Sequence, residues 1–118
     1  MVRMPSLAAW QWELYPQGHT TRRNLLLHIL TVPIFGLGAA GAIVSAVERS
    51  AIGGAIAAAC LLGPLVAQGR GHKSEPVRPV PFSSPWNFVS RFVVEQLFTF
   101  PRYVLSGGFA RAWRAARA

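Results

Sequence analysis

Three histidines and one glutamate have the types and spacing to do chemistry in this chain, which holds only three His and four carboxylates in 118 residues. His72 and Glu75 stand three apart in AQGRGHKSEP, at the mouth of an apolar run. That spacing suits two ligands on one helical turn, and equally a solvated turn. His28 lies four residues inside another apolar run, where an ionisable group is costly and marks a functional position. Its plainer role is a neutral imidazole donating to a carbonyl of a partner helix. His19 lies nine residues upstream, about two and a half helical turns, so one continuous helix would place it opposite His28. Gly18, Thr20 and Thr21 permit a bend, with a helix beginning near Thr21; taken alone, His19 reads as a surface residue. Three imidazoles and a carboxylate suit Fe(II), Zn or Mn, and imidazole with carboxylate and open positions serves non-haem iron oxygen chemistry. Glu13, Glu48 and Glu95 read as solvated or paired with neighbouring Arg. The chain has no Asp for a Ser/His/Asp set, and GRGHK does not fit a phosphate loop.

The elements that would position these residues are helical. Residues 25–47, LLLHILTVPIFGLGAAGAIVSAV, carry no Lys, Arg, Asp or Glu. As a helix they reach roughly 34 Å, enough for a hydrocarbon core of about 30 Å. Pro33 is tolerated in such a span where neighbours satisfy the freed carbonyl. Residues 51–68 form a second run after Glu48-Arg49-Ser50, and Gly36/Ala40, Gly41/Ser45 and Gly54/Ala58 allow the two to approach closely. The expected fold is all-α: one domain over 1–118, an integral membrane helical hairpin of two spans with an additional amphipathic interfacial helix. A Pro-rich loop covers 69–84. Ser84 and Pro85 start the amphipathic helix, about 85–100, whose stripe of Arg91, Glu95, Thr99 and Arg102 would face the head groups. Residues 107–118 form a basic tail with Trp113, and Trp10, Trp12 and Tyr15 an interfacial belt. In a hairpin the end of the second run returns beside the start of the first. His19, His28, His72 and Glu75 then gather near one membrane face.

Composition agrees with a membrane. Hydrophobic residues make up 52% of the chain and charged ones 14%, against about 25% charged in soluble proteins. The net charge of +8 is carried by eleven Arg and one Lys. Eleven of those twelve lie before residue 25 or after residue 68, which places both termini in the cytoplasm, facing inward from the inner membrane in a bacterium. No basic helix carries base-stacking aromatics, so anionic lipid fits this charge and nucleic acid does not. TTRRNLLLH resembles a twin-arginine export signal, but the apolar run exceeds the usual 7–15 residues and a second run follows directly. Cys60 reads as a packing residue. Two spans bury little surface, which leaves room for a homodimer.

The same residues carry a resemblance. YPQGHTTRRNLLLHILTVP resembles the signature Tyr-x-x-x-His-x-x-x-x-Asn-x-x-x-His-x-x-x-x-Pro of a membrane family, on Tyr15, His19, Asn24, His28 and Pro33. A second signature falls on Gln68, Gly71, His72, Glu75 and Pro79. The family is that of the fungal 2-hydroxy fatty acid dioxygenase of phytosphingosine breakdown and its bacterial relatives. The resemblance implies an Fe(II)-dependent dioxygenase that shortens a 2-hydroxy fatty acid, or a related hydroxylated long-chain lipid, by one carbon. It implies His19, His28 and His72 as iron ligands and catalytic residues, with Glu75 a fourth ligand or a group fixing an imidazole. Tyr15, Asn24 and Gln68 would support the ligands, and Arg70, Lys73 or Arg78 would neutralise the substrate carboxylate. The chain departs from the fungal enzyme in offering two spans where that enzyme has more. The alternative is a small non-catalytic membrane protein that binds anionic lipid or a protein partner through its Arg-rich ends.

Overall fold

Four hydroxyl side chains set where the main helices begin. Ser6 Oγ accepts from the Ala9 amide at 3.2 Å, Thr21 Oγ1 from Asn24 at 3.2 Å, Ser50 Oγ from Gly53 at 3.0 Å and Ser84 Oγ from Asn87 at 3.0 Å. Each satisfies an amide that a helix start would otherwise leave unpaired. The computed structural model describes residues 6–116, and all regular structure among them is helical. Residues 1–5 and the last two residues of the expected basic tail lie outside the described residues.

Helix α1 (Leu7–Leu14) runs into a 3-10 turn, Tyr15–Gly18, and the chain then bends through His19–Thr21. Helices α2 (Arg22–Glu48) and α3 (Ala51–Lys73) form the hairpin. Their 27 and 23 residues give lengths of roughly 40 and 35 Å. Both are long and apolar enough to cross a membrane. Their outer faces stay apolar, with Leu37, Val47 and Ile52 all more than 70% exposed. Arg49, at φ +53°, closes the tip in the left-handed region that ends many helices.

The hairpin is tight at one of the three small-residue pairs expected from spacing, Gly41/Ser45, but not at the other two. A Cβ on Gly41 would meet the Ala57 Cβ at 3.8 Å, and one on Gly53 the Ser45 Cβ at 3.3 Å. A Cβ on Gly38 would lie 2.8 Å from the Cys60 Cβ, whereas Gly36 and Gly54 face open space. The close approach therefore depends on which side of each helix meets its neighbour, which a four-residue spacing does not specify.

Three boundaries differ from expectation. Helix α3 continues five residues beyond 68, because GRGHK contains no proline and the first breaker is Pro76. Arg70, His72 and Lys73 occupy its last turn, where positive charge complements the helix dipole. The chain after Ser84 forms α4 (Pro85–Val94), a π turn (Glu95–Thr99) and α5 (Phe100–Leu105) in immediate succession. The expected basic tail holds a further helix, α6 (Gly108–Ala115), whose Phe109 and Trp113 pack against the core.

Three members of the polar stripe, Arg91, Glu95 and Thr99, point inward, opposite to the sequence expectation, while Arg102 is exposed. Arg91 is 9% exposed and Thr99 1%, while Leu97 on the other side is 55% exposed. In water this would be inside out; in lipid an apolar outer surface is cheap, and polar groups turn to one another. Arg91 donates to the carbonyls of Val80 and Pro81 at 2.8 and 3.2 Å, pinning the Pro-rich segment. Tyr15 is likewise buried in the core with Leu25, Val32, Phe100 and Tyr103, away from the interfacial belt expected for it.

Candidate metal centre

Four elements each bring one donor to the same point. His19 comes from the bend before α2, His28 from α2, His72 from the last turn of α3 and Glu95 from the first position of the π turn. One ligand atom from each lies within 4.8 Å of all the others. Three are closer still: His19 Nε2, His28 Nε2 and Glu95 Oε2 form a triangle with all three edges at 3.3 Å.

The hydrogen bonds around this triangle fix which atoms carry protons. His19 Nδ1 lies 2.8 Å from the Tyr15 carbonyl and His28 Nδ1 2.9 Å from the Asn24 carbonyl. A carbonyl only accepts, so both Nδ1 atoms donate and both neutral rings present an Nε2 lone pair to the centre. Those lone pairs face each other and a carboxylate oxygen. Lone pairs at 3.3 Å repel unless a cation, proton or metal, stands among them. A metal about 2.1 Å from each of two donors in tetrahedral geometry separates them by roughly 3.4 Å, which matches the triangle. Among the described residues, His72 Nδ1 is buried without a hydrogen-bond partner, an orphan of the kind that signals a missing partner. The donor set and its spacing fit a divalent transition metal.

Tyr15 completes the support. Its hydroxyl donates to Glu95 Oε2 at 2.8 Å and its ring stacks on His19 at 3.8 Å. Burial, reinforced by the negative Glu95, pushes the Tyr15 phenol well above its ordinary value, so it stays a neutral donor. Burial alone would raise the Glu95 carboxyl too, but without a metal a proton on Nε2 of His19 or His28 turns the imidazoles into donors that hold it well below the usual range.

Glu75 lies elsewhere, and the carboxylate expected among the ligands is replaced by Glu95. Glu75 Oε1 accepts from the Thr20 amide at 2.9 Å and Thr20 Oγ1 at 2.6 Å. Its Oε2 accepts from the Thr21 amide at 3.0 Å and Asn24 Nδ2 at 2.9 Å. It caps the start of α2 and ties the end of α3 to it. Glu95, expected to be solvated or paired with Arg, has only 12% of its side chain exposed and faces the histidines. Asn24 and Gln68 both support the site from outside the triangle. Asn24 gives its carbonyl to His28 and its amide to Glu75, and Gln68 exchanges two hydrogen bonds with Gln96.

A cavity of about 990 Å³ opens onto His19, His72 and Glu95. Leu14, Leu65, Phe88 and Phe92 line its apolar part, and Lys73 and Arg78 stand among its walls. Arg70 does not line it: two residues from both Gln68 and His72, it stands about 200° round the helix from each and is exposed.

Gly71 tests the packing that brings the two long helices together here. A Cβ there would collide with Asn24 Oδ1 and stand 3.3 Å from the Asn24 Cα. Gly71→Ala is expected to destabilise the fold by about 1–3 kcal/mol and to weaken metal binding, since α3 must move away from α2 with His72 on it. Thermal unfolding and a metal titration on the same sample check both effects.

No family model, curated protein or solved structure matches this chain.

Proposed function

We propose that this chain is a membrane-embedded, Fe(II)-dependent dioxygenase that shortens a 2-hydroxy fatty acid or related hydroxylated lipid by one carbon. The observation that carries the reading is the triangle of two imidazole lone pairs and one carboxylate oxygen, with a third imidazole beside it. Two His and one carboxylate with open positions is the donor set of non-haem iron oxygenases. Fe(II) bound there would supply oxygen activation.

The protein's own residues define the substrate's place. Lys73 and Arg78 offer positive charge to a carboxylate, and Leu65, Phe88 and Phe92 offer an apolar wall to an acyl chain. An amphiphile with one polar end and one oily end matches both parts of that cavity. The site lies at one end of the hairpin, so a lipid in the adjoining leaflet reaches it without crossing water. The basic residues flanking α2 and α3 put that end, with both termini, on the cytoplasmic side.

The overall balance is one 2-hydroxy acid and one O₂ giving the acid one carbon shorter, carbon dioxide and water, with the C1–C2 bond broken. Protein purified in detergent without oxygen and loaded with Fe(II) is expected to consume one O₂ per 2-hydroxy long-chain acid added. The unhydroxylated acid is expected to give no uptake, and His28→Ala none with either. Iron bound at full stoichiometry with no uptake rejects the substrate; no iron bound rejects the centre.

A further inference from the structure

The four donors are not held alike. His19 and His28 are each locked by an Nδ1 hydrogen bond to a backbone carbonyl, and Glu95 by the Tyr15 hydroxyl. Neither ring nitrogen of His72 makes a hydrogen bond to a protein group among the described residues, so whichever one faces the metal, the other does not lock the ring. Its position follows that of α3, and a polar layer ties α3 to α2 and the π turn about one helical turn below the donors.

In this layer Gln68 and Gln96 exchange hydrogen bonds in both directions, Nε2 to Oε1 at 2.9 Å and 2.7 Å. Gln68 Nε2 also donates to Thr31 Oγ1 at 2.9 Å. Gln68 and Gln96 are each 2% exposed. Each member sits next to a donor on its own element: Thr31 is three residues after His28, Gln68 four before His72, and Gln96 directly after Glu95. On the π turn Glu95 faces the histidines while the adjoining Gln96 faces Gln68.

We infer that His19, His28 and Glu95 form a fixed three-donor face, while His72 is an adjustable fourth donor held in register by the Gln68–Gln96 amide clamp. Gln68 and Gln96 are thus positioning residues for the metal centre. The inference rests on the metal-centre reading above. It gives the site a donor that can yield its position to an incoming ligand without dismantling the rest.

Co(II) is the probe, because its visible absorption reports the number and geometry of its ligands. Wild type, His28→Ala, His72→Ala, Gln96→Leu and the double variant Gln68→Leu/Gln96→Leu are titrated in detergent, with thermal unfolding alongside. His72→Ala is expected to keep stoichiometric Co(II) with affinity reduced about 10–100-fold and an altered visible spectrum, whereas His28→Ala binds none. Gln96→Leu leaves the buried Gln68 Oε1 without its donor and unfolds at lower temperature; the double variant regains stability because neither amide is stranded. Both clamp variants are expected to share the altered spectrum and weakened affinity of His72→Ala, the double variant despite its recovered stability. A wild-type spectrum and affinity in the stable double variant overturns the positioning role. Equal loss of Co(II) in His72→Ala and His28→Ala overturns the adjustable donor. If wild type itself takes up no Co(II), the metal-centre reading falls and this inference with it.

Discussion

Glu95→Gln is expected to lower metal affinity by more than about 100-fold, while Glu75→Gln stays within about threefold of wild type. The two acids differ in what their oxygens already do. Glu95 Oε2 stands 3.3 Å from both His19 Nε2 and His28 Nε2 and receives one hydrogen bond, from Tyr15. An amide there loses the charge and one of its two acceptor oxygens. Both oxygens of Glu75 are occupied by Thr20, Thr21 and Asn24. Its loss is felt by the fold. Titration of anaerobic protein with Fe(II), followed by metal analysis after gel filtration, measures both variants directly. Full metal retention in Glu95→Gln with loss in Glu75→Gln would return the fourth donor to the position suggested by the His72-x-x-Glu75 spacing.

The same centre should lose metal in acid. Imidazole binds a metal only when its lone pair is free of a proton, so metal and protons compete for His19, His28 and His72. Metal retained after gel filtration is therefore expected to fall as the pH is lowered.

The helical architecture was legible because two long runs without charge leave few alternatives to an apolar hairpin, and Thr21, Ser50 and Ser84 mark their helix starts in the sequence. The three histidines were legible too: a hairpin must return residue 72 beside residue 28. Glu95 was not. Its polar stripe with Arg91 and Thr99 has the period of any amphipathic helix, and period alone does not say whether the polar side faces solvent or protein. The available signal was the neighbouring residues, since Val93, Leu97 and Phe98 leave α4 and the π turn an apolar side with no partner in a chain this short. In lipid that side faces outward, and Glu95 must then face in. The π turn on which it stands has no mark in the sequence. Glu75 misled for the opposite reason: its spacing to His72 is real, but the chain turns at Ser74 and carries the carboxylate to the bare amides at Thr20 and Thr21 instead.

Because Glu75 is that cap, the protein should become less stable in mild acid, and Glu75→Gln should remove much of this dependence. Burial alone would raise the carboxyl of Glu75, but hydrogen bonds from Thr20, Thr21 and Asn24 outweigh it and hold it below its ordinary value. A carboxyl that binds its proton more weakly when folded favours the folded state above its unfolded pKa, near 4.3. That contribution fades as pH falls through the lower, folded value. For metal-free protein in detergent, the difference in melting midpoint between wild type and Glu75→Gln is expected to be level from pH 7 to about 5 and to shrink as pH falls below about 4.3. Glu75→Gln is expected to cost about 2–3 kcal/mol at pH 7, the loss of charge-assisted bonds to two amides. It should then vary less with pH. The slope it keeps belongs to the other buried titrating groups, Glu95 among them, whose carboxyl is also held low. A Glu75→Gln profile parallel to wild type would mean the cap is not ionised in the folded protein, and would remove Glu75 as the tie between α2 and α3.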